Sequence, residues 1–329
     1  MKKKIEIIFF SFVLLFVFSF LFLLYGPYSG FRSFFITSTM TTMNHRYLAY
    51  VFYSDEVIYE VLSENNIVEA YGEESISSDR KKFSQYEEEI LSGKKSGALY
   101  KLIEIDEARY DGYLVAIYDP SKVFVATSKY LGEKGEDILT VSKREGSVVS
   151  INASGFYDPN WDSNGSTPHG TVISNGKVVS DYDDALSNGG FIGFNYENRL
   201  VLGKWTKEEA LLNGLRDAVE FGPFLIVNGN KSYINGNGGY GIAPRTAIGQ
   251  REDGIVLFLV INGRTISSIG ASMNDLICIM ERYGAYNAAN LDGGSSSELV
   301  ISGKIINRPV AGGKDGLRDM PVFFVVKDK

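Results

Sequence analysis

The sequence predicts a mixed α/β or α+β domain with flanking helices, preceded by one N-terminal transmembrane helix. Three observations support this prediction. A long apolar run opens the chain, short β-branched and aromatic runs broken by turn residues dominate from about residue 99, and two well-capped helical segments lie among them. Hairpin signals are frequent between the short runs, which argues against a doubly wound parallel sheet.

The first 27 residues predict an uncleaved signal anchor. From Ile5 to Leu24 the run carries one charge, Glu6, and at about 1.5 Å per residue it spans a hydrocarbon core of roughly 30 Å. The lysines at 2–4 place the N-terminus in the cytoplasm and the remainder outside. A cleaved signal peptide is the alternative. Its apolar region is usually about 7–15 residues long and ends in a small-residue cleavage site, which YGPYSGF matches poorly.

Residues 28–98 are expected to form a juxtamembrane helical and connector region. Within it, Val57, Ile58, Val61 and Leu62 have helical spacing. The stretch 72–97 is rich in charge and serine, as is typical of a solvated connector. The main domain is expected at 99–329.

Turn and strand signals are dense in the main domain. The segment TVISNGKVVS places Asn175-Gly176 between two apolar runs, which is the strongest short hairpin signal. The runs GIVLFLVING (254–263) and PVFFVV (321–326) predict a buried strand and a last central strand.

Two helices are marked by their caps. Thr206 and Glu209 fit a capping box, and the helix is expected to continue through ALLNGLRDAVEF to Gly222. Ser272 opens the second helix, MNDLICIMERY, which ends at Gly284. The single cysteine, Cys278, lies in this helix, so no intrachain disulfide forms and a small buried side chain is expected.

Composition limits the function classes. The formal net charge is -7, which argues against binding through neutralisation of a nucleic-acid backbone. Aromatic residues are abundant, with 20 Tyr and 21 Phe, so a sizeable core can be buried. We therefore expect no nucleic acid among the partners.

Two familiar motifs lack the context that they need. Gly236-Asn-Gly-Gly-Tyr-Gly241 matches G-x-G-x-x-G, but Pro244 and β-branched residues follow where dinucleotide binding requires a helix. This segment is expected to be a mobile loop over a site or a plain surface turn. The serines at 295–297 suggest a serine hydrolase, yet G-x-S-x-G is absent and a triad is available only through His169.

No metal site is predicted. No His/Cys cluster has the ligand spacing of a zinc site. Asp181, Asp183 and Asp184 lack the Gly and the distal Glu of an EF-hand loop and are expected to be solvated carboxylates. No cofactor is predicted, while a divalent cation such as calcium stays open.

Three polar clusters follow apolar strands, and each puts a hydrogen-bonding side chain at a strand end. They are INASGFYD at 151–158, APRTAIG at 243–249 and NLDGGSSS at 290–297. Each combines a hydrogen-bonding side chain with residues small enough for a ligand to approach, so the three together predict one shared site. Asn, Asp, Ser and Gly around one Arg suit a hydroxyl-rich anionic ligand, because Arg binds phosphate oxygens in a bidentate fork.

The order of several motifs resembles the phosphodiester glycosidase family. These motifs are INASGFYDP, TVISNGKVV, GPFLIVNGN, APRTAIGQREDG, NLDGGSSSELVISGKIINRP and RDMPVFFVV. The resemblance covers roughly residues 100–327. The chain carries Ala153-Ser154 where the family pattern has two glycines, which bears on the identity of the sugar more than on the reaction.

The resemblance implies site residues and roles. Asp292 faces the anomeric carbon as base or nucleophile, Arg245 contacts the phosphate, and Asn152 hydrogen-bonds the sugar or the phosphate. The residues expected to bind substrate are Thr246, Gly293, Gly294, Ser295, Asp158, Asn228 and His169. A second carboxylate, where one is needed, is Asp158 or Glu298, and Glu298 is otherwise expected to face solvent.

The implied activity is hydrolysis of the sugar C1–O bond of a sugar-1-phosphodiester resembling GlcNAc-phosphate, in cell-envelope or exopolysaccharide metabolism. The expected partners are a sugar-phosphate glycan or glycolipid and, through the N-terminal helix, the cell membrane. The alternative is a non-catalytic carbohydrate-binding or assembly protein for cell-wall or exopolysaccharide biosynthesis.

Overall fold

The computed structural model describes residues 2–41, 45–70, 85–158, 164–182 and 189–328. The chain divides into two compact units. The first comprises Met1–Asn66 with Ile234–Gly241, and the second comprises Ile67–Tyr233 with Ile242–Lys329. Helices and strands are numbered in chain order below.

The first unit is helical. Its helices are α1 (Lys2–Tyr25), α2 (Ser29–Met40), α3 (Arg46–Phe52) and α4 (Asp55–Glu64). Among the described residues one helix is long and apolar enough to cross a membrane, over Lys3–Tyr25. The end of α1 packs with the other three helices around buried Leu24, Ile36, Ala49, Ile58 and Val61.

The glycine-rich loop belongs to the helical unit. The Asn237 amide donates to Asn65 Oδ1 (2.9 Å), and Asn237 Nδ2 donates to Thr37 Oγ1 (2.8 Å). A Cβ on Gly236 would lie 2.2 Å from Asn65 Oδ1, so the loop needs glycine to sit this close. These contacts tie the loop to α2 and to the end of α4.

The second unit contains the remaining helices. They are α5 (Gln85–Lys95), α6 (Ile138–Glu145), α7 (Lys207–Leu212) and α8 (Met273–Arg282). Of the predicted connector at 72–97, residues 72–84 lie outside the described part of the chain, and most of the remainder forms α5.

Three antiparallel sheets make up most of the second unit. In spatial order, the seven-stranded sheet is β12 (Asn230–Lys231), β11 (Phe224–Val227), β16 (Ala285–Asn290), β14 (Arg245–Arg251), β15 (Val256–Ile261), β3 (Asp111–Ile117) and β2 (Tyr100–Asp106). One five-stranded sheet is β18 (Lys304–Ile305), β17 (Leu299–Ile301), β5 (Ser147–Asn152), β19 (Val322–Lys327) and β4 (Val123–Thr127). The other is β7 (Lys177–Tyr182), β6 (Gly170–Ser174), β10 (Leu215–Phe221), β8 (Gly190–Asn195) and β9 (Leu200–Gly203). Two short strands, β1 (Ile67–Val68) and β13 (Tyr233–Ile234), lie outside these sheets.

One hydrophobic core joins the three sheets. Phe324 of β19 packs edge-on against Phe194 of β8 (6.3 Å between ring centroids) and at a tilt against Phe258 of β15 (6.4 Å). All three rings are fully buried. Because every sheet buries one face against the others, the strand ends at the rim of this core are held rigidly.

The structure confirms the mixed α+β fold with flanking helices and a long apolar N-terminal helix. Asn175 and Gly176 both have positive φ in the turn between β6 and β7, as the predicted hairpin requires. α8 begins at its Ser272 capping box, and Tyr283 and Gly284 follow its last residue. β19 lies inside its sheet, between β5 and β4.

Two local predictions were wrong. The helix capped by Thr206 ends at Leu212, because Asn213 and left-handed Gly214 (φ +74°) turn the chain. The following LRDAVEF forms strand β10 between β6 and β8, so tertiary pairing overrides its helical pattern. Cys278 is exposed on the outer face of α8, not buried.

Candidate active site

The candidate site forms where strand ends from two sheets meet. Asn152 is the last residue of β5, Arg245 is the first of β14, and Asn290 is the last of β16. Because β14 and β16 are antiparallel neighbours, the start of one lies beside the end of the other. The Asp292 amide then donates to the carbonyl of Ala153 (2.9 Å), which joins the two sheets. The three polar clusters of the sequence therefore meet.

Asn152 is fully buried and links all three clusters. Its Nδ2 donates to the Asp292 carbonyl (2.6 Å), and its Oδ1 accepts from Thr246 Oγ1 (2.7 Å) and from the Glu298 amide (3.1 Å). Thr246 is also fully buried. Both polar atoms of the Asn152 side chain are thus used within the protein, where they fix the backbone on either side of the 293–297 loop.

Asp292 is half-buried at the start of that loop. Desolvation raises the pKa of its carboxyl, while a hydrogen bond from Ser296, the positive charge of Arg318 and an electrostatic interaction with His169 act in the opposite direction. A raised pKa brings a carboxyl group closer to the range in which it exchanges protons at neutral pH.

The side chains of His169 and Asp292 both lie close to the backbone of Gly155. A Cβ on Gly155 would lie 3.1 Å from His169 Cδ2 and 3.8 Å from Asp292 Cγ. The His169 amide donates to the Gly155 carbonyl (2.9 Å), which holds the histidine in place. The imidazole and the carboxyl group therefore flank one position where only a glycine fits comfortably.

The two glycines after Asp292 allow close packing on both sides. A Cβ on Gly293 would lie 2.9 Å from the Pro244 carbonyl oxygen and 3.7 Å from Arg245 Cδ. A Cβ on Gly294, which has φ +62°, would lie 3.1 Å from Arg264 Nη2. Two guanidinium-bearing side chains thus contact a backbone that carries no side chain.

Arg264 is an exposed cation at the edge of the loop. Its Nη1 donates to Ser295 Oγ (2.8 Å), and among the described residues it forms no ion pair with a carboxylate. Desolvation and the positive charge of Arg318 lower its pKa. Its φ of +58° is uncommon for a residue other than glycine and is typical of functional sites. An unneutralised guanidinium suits an anionic ligand.

Arg318 is fixed from several directions. Its Nη2 contacts Asp158 Oδ2 (3.0 Å), its guanidinium lies 4.3 Å from the ring centroid of Phe156, and its amide donates to Glu298 Oε1 (2.8 Å). Because Asp158 is only 4% exposed, its ion pair with Arg318 holds the arginine in a fixed orientation.

Glu298 does not face solvent, and that expectation was wrong: it is 0% exposed. The outgoing β17 is an interior strand between β18 and β5, which buries the start of the strand as well. Desolvation, followed by the negative charges of Asp137 and Asp319, raises the pKa of Glu298 to about 8. Its Oε2 receives no hydrogen bond from the part of the chain that the structure describes. At neutral pH this carboxyl group is therefore protonated.

Glu298→Gln is expected to reduce the loss of stability at alkaline pH. Because the pKa of Glu298 is higher in the folded protein than its unfolded value of 4.5, protonation of Glu298 stabilises the fold. This stabilisation is complete below pH 4.5 and is lost as the pH rises through about 8. Over this window the contribution is on the order of a few kcal/mol. Glutamine has no such titration, so the Tm of the variant minus that of wild type should increase between pH 5 and 9 in calorimetry. Parallel Tm curves would show that Glu298 does not titrate in this range.

Three further buried oxygens near the loop accept or donate no hydrogen bond among the described residues. They are Ser154 Oγ, Asn290 Oδ1 and Ser297 Oγ. Unsatisfied polar atoms are rare in protein interiors, and their concentration at one place is typical of a functional site that also holds water or ligand.

The structure brings most of the predicted site residues together. The group around Asp292 consists of Asn152, Asp158, His169, Arg245, Thr246, Gly293, Gly294 and Ser295. Arg245 is only 6% exposed, and its Nε donates to the Ala271 carbonyl (3.0 Å). Asn228 lies elsewhere, in the turn between β11 and β12, where its amide donates to Asn287 Oδ1 (2.7 Å). That turn lies beside the start of β16, roughly 15 Å or more along the strand from Asp292.

Sequence reasoning missed Arg264 and Arg318, and it gave no separate role to Gly155 or Ser296, which lie in two of the recognised clusters. A signal was present for Arg264, because it follows the buried strand β15 just as the three recognised clusters adjoin strand ends. Arg318 lies close before β19, in a motif that was noted but given no role.

The described residues contain no group of three or more metal-ligating side chains. Asp181 contacts Lys207, and its Oδ1 accepts from Thr171 Oγ1 (3.2 Å). Asp183 and Asp184 lie outside the described residues.

Curated proteins and solved structures similar to this chain include the following. The SPbeta prophage-derived uncharacterized protein YomE of Bacillus subtilis (strain 168) is 34% identical over 201 residues, which is 58% of this chain and 30% of YomE. The N-acetylglucosamine-1-phosphodiester alpha-N-acetylglucosaminidase of Mus musculus is 28% identical over 158 residues, 43% of this chain and 30% of the mouse protein. Less than a third of either relative is thus matched.

The structural similarity concerns the fold. The auto-inhibited catalytic domain of the zebrafish N-acetylglucosamine-1-phosphodiester alpha-N-acetylglucosaminidase superposes with a TM-score of 0.58 and 19% sequence identity. The superposition covers 70% of this chain and 83% of the zebrafish chain.

The family comparison covers the site itself. The model of the phosphodiester glycosidase family matches residues 145–327, which is more than half of the chain and includes all three polar clusters, both arginines missed by the sequence and the buried Glu298. This chain therefore belongs to the phosphodiester glycosidase family.

Proposed function

We propose that this protein hydrolyses the C1–O bond of a sugar-1-phosphodiester, with the sugar resembling N-acetylglucosamine, and releases free sugar and a phosphomonoester. One observation carries the proposal. A carboxyl group of raised pKa, Asp292, lies beside His169 and Arg318, while Arg264 nearby lacks a carboxylate partner among the described residues. Such a site offers a proton-transfer or nucleophilic group next to uncompensated positive charge.

The reaction requires charge stabilisation more than leaving-group protonation. An oxygen attacks C1, the bond from C1 to the phosphate oxygen breaks, and the electron pair stays on the phosphomonoester, which is already a stable anion. Asp292 either removes the proton of the attacking water or attacks C1 itself, and water then releases the sugar. In both routes positive charge develops near C1, and negative charge develops on the leaving phosphate.

The arginines supply the complementary charge. Arg264 is exposed and directed at the Gly294 backbone, so it contacts the phosphate. Arg245, which lies beside Gly293, contributes a further positive charge next to the loop. Arg318 is oriented by Asp158 and lies close enough to lower the pKa of Arg264 electrostatically. A phosphodiester relieves this mutual repulsion on binding.

The neutral residues position the loop and the sugar. Asn152 and Thr246 hold the Asp292 backbone through their mutual hydrogen bond, and Ser295 is held by Arg264. Gly293 and Gly294 let the substrate approach the backbone. Rigid placement of a reacting group is itself a large part of catalysis, because it removes the entropic cost of orientation.

The proposed location is supported by α1. Its apolar side chains are exposed over most of the helix, as expected of a segment that contacts lipid. The three lysines in its first turn favour a cytoplasmic N-terminus. We place the glycosidase domain outside the cytoplasm, anchored to the cell membrane, where the substrate is a phosphodiester-linked glycan or glycolipid of the cell envelope or of an exopolysaccharide.

Arg264→Gln is expected to lower kcat/KM for the phosphodiester by about 10–100-fold, since one charge-assisted contact to phosphate contributes about 1.5–3 kcal/mol. Binding of the free sugar should be unchanged. Arg199→Gln is the matched control, because Arg199 is exposed and donates to the Glu252 carbonyl away from the loop. Equal losses for both variants, or equal losses for diester and free sugar, would remove Arg264 from phosphate recognition.

The activity is tested with the full chain in detergent. The protein is incubated with a GlcNAc-1-phosphate diester and then with a panel of other sugar-1-phosphodiesters, and free sugar and phosphomonoester are followed by mass spectrometry. Release of both products by wild type supports the proposal. Saturable binding without release across the panel contradicts it and favours the carbohydrate-binding alternative. Neither binding nor release contradicts both.

A further inference from the structure

Two short helices of the N-terminal unit expose an apolar stripe. In α3, Tyr47, Tyr50 and Val51 are 60%, 53% and 66% exposed. Their spacing of three and four residues puts them on one helix face. Phe34 of α2 is 42% exposed as well. Four large apolar side chains without cover on two small helices need a partner of apolar character.

The depth of these helices along α1 identifies that partner. Phe20 and Leu24 of α1 pack in one cluster with Phe35 and Phe52. Tyr53 Oη donates to the Leu24 carbonyl (2.9 Å). Since an α-helix rises about 1.5 Å per residue, Phe20 lies roughly 7 Å below the end of α1 at Tyr25. Helices α2 and α3 therefore flank the last turn and a half of the apolar span.

The exposed face of α4 has the opposite character. Its outward residues include Glu56, Glu60 and Glu64, which recur every four residues and are exposed. The face is not uniformly polar, because Tyr59 is 77% exposed. Three carboxylates nonetheless make burial in an apolar or anionic surface costly. The helical unit is thus sided, with an apolar side on α3 and an acidic side on α4.

We propose that α2 and α3 form a juxtamembrane collar that lies in the interfacial layer of the lipid bilayer, with Phe34, Tyr47, Tyr50 and Val51 immersed at the boundary of headgroups and acyl chains. This inference rests on the membrane anchoring proposed above. The match is physical: interfacial helices bury an apolar face about 5–10 Å deep, which agrees with the depth at which the collar meets α1. Tyrosine suits this layer because its ring is apolar and its hydroxyl stays hydrated.

Lipid is favoured over a second protein as the partner, because the apolar stripe is continuous with the apolar surface of α1. The stripe adjoins the end of an apolar helix whose side chains from Ile5 to Phe18 are themselves largely exposed. Arg46 at the start of α3 is exposed, and its Nε donates to the Met40 carbonyl (3.1 Å). A cation at this position suits lipid phosphate. Because the stripe continues the surface of the membrane span, we expect it to contact lipid as the span does.

Site-specific fluorescence of the full chain in lipid vesicles tests the collar. Single cysteines at Leu14 in α1, Val51 in the collar and Ser63 on α4 are introduced in a Cys278→Ser background and labelled with the environment-sensitive dye NBD. Vesicles of phosphatidylcholine with and without brominated acyl chains are compared. We expect the label at 51 to lose roughly half as much emission as the label at 14, and the label at 63 to lose almost none.

Each result decides the matter. Quenching at 14 but not at 51 overturns the collar while leaving the membrane anchor intact. A blue-shifted label at 51 that brominated lipid does not quench also overturns it, since a second copy or another protein then covers the stripe. Absence of quenching at 14 refutes the anchor, and the collar with it. None of these outcomes depends on hydrolysis, so the proposed activity is tested separately.

Discussion

Asp292→Asn is expected to lower kcat for hydrolysis of a sugar-1-phosphodiester by at least about 10³-fold, because an amide neither removes a proton from water nor attacks C1 as a nucleophile. The same substitution should not unfold the protein. Asparagine keeps an oxygen that accepts from Ser296, and it removes a carboxyl group whose pKa is raised by desolvation. A group of raised pKa destabilises the folded state once it ionises, so the Tm at pH 8 should be equal or higher.

Measuring turnover and Tm together separates an effect of Asp292→Asn on catalysis from an effect on folding. Turnover is measured by product release and stability by calorimetry on the same samples. Asp181→Asn serves as the control, because Asp181 is an exposed carboxylate on β7 that pairs with Lys207 of α7. Near-normal turnover of Asp292→Asn would exclude Asp292 from the reaction. A lower Tm at pH 8 would show instead that the carboxylate stabilises the fold.

Asn152→Ala is expected to destabilise the protein by about 3–9 kcal/mol, because three buried or part-buried groups each lose a partner at about 1–3 kcal/mol. Those groups are the Asp292 carbonyl, the Thr246 hydroxyl and the Glu298 amide. Activity should fall even under conditions where the variant remains folded, since the loop that carries Asp292 is no longer held. The free energy of unfolding in urea and kcat at low temperature measure the two effects.

A double-mutant cycle tests the origin of this loss. Thr246→Val removes the hydroxyl that Asn152→Ala would leave unpaired, so the two changes together should cost less than their sum. Additive losses would show that the bond between Thr246 and Asn152 contributes little. Asn213→Ala, at an exposed helix end, is the matched surface control and should cost about 1 kcal/mol or less.

Local chemistry explains which elements of the fold are predictable. The hairpin at Asn175-Gly176 and the caps at Ser272 and Thr206 are short-range signals, and each is present in the structure. The failure at LRDAVEF has the opposite cause. Its partners β6 and β8 lie 20 to 50 residues away in the chain, and this non-local pairing decides between strand and helix. The three-sheet arrangement has the same non-local character.

The site was predictable in part for the same reasons. Clusters at strand ends predicted that Asn152, Arg245 and Asp292 lie close together, because strand ends meet at the rim of a core. Burial was not predictable from composition, so Glu298 was expected in solvent and is 0% exposed. Asn228 resembled a site residue by its motif, yet it occupies a turn beside the opposite end of β16.

Hydrolysis in ¹⁸O-labelled water tests most directly whether Asp292 and its arginines cleave the bond from C1 to the phosphate oxygen. The full chain is incubated with a sugar-1-phosphodiester that it turns over, and the phosphomonoester is analysed by mass spectrometry, with Asp292→Asn as the inactive control. Attack at C1 predicts a phosphomonoester without label, since the water oxygen enters the sugar. Label in the phosphomonoester would show attack at phosphorus, and would make the site a phosphodiesterase instead of a glycosidase.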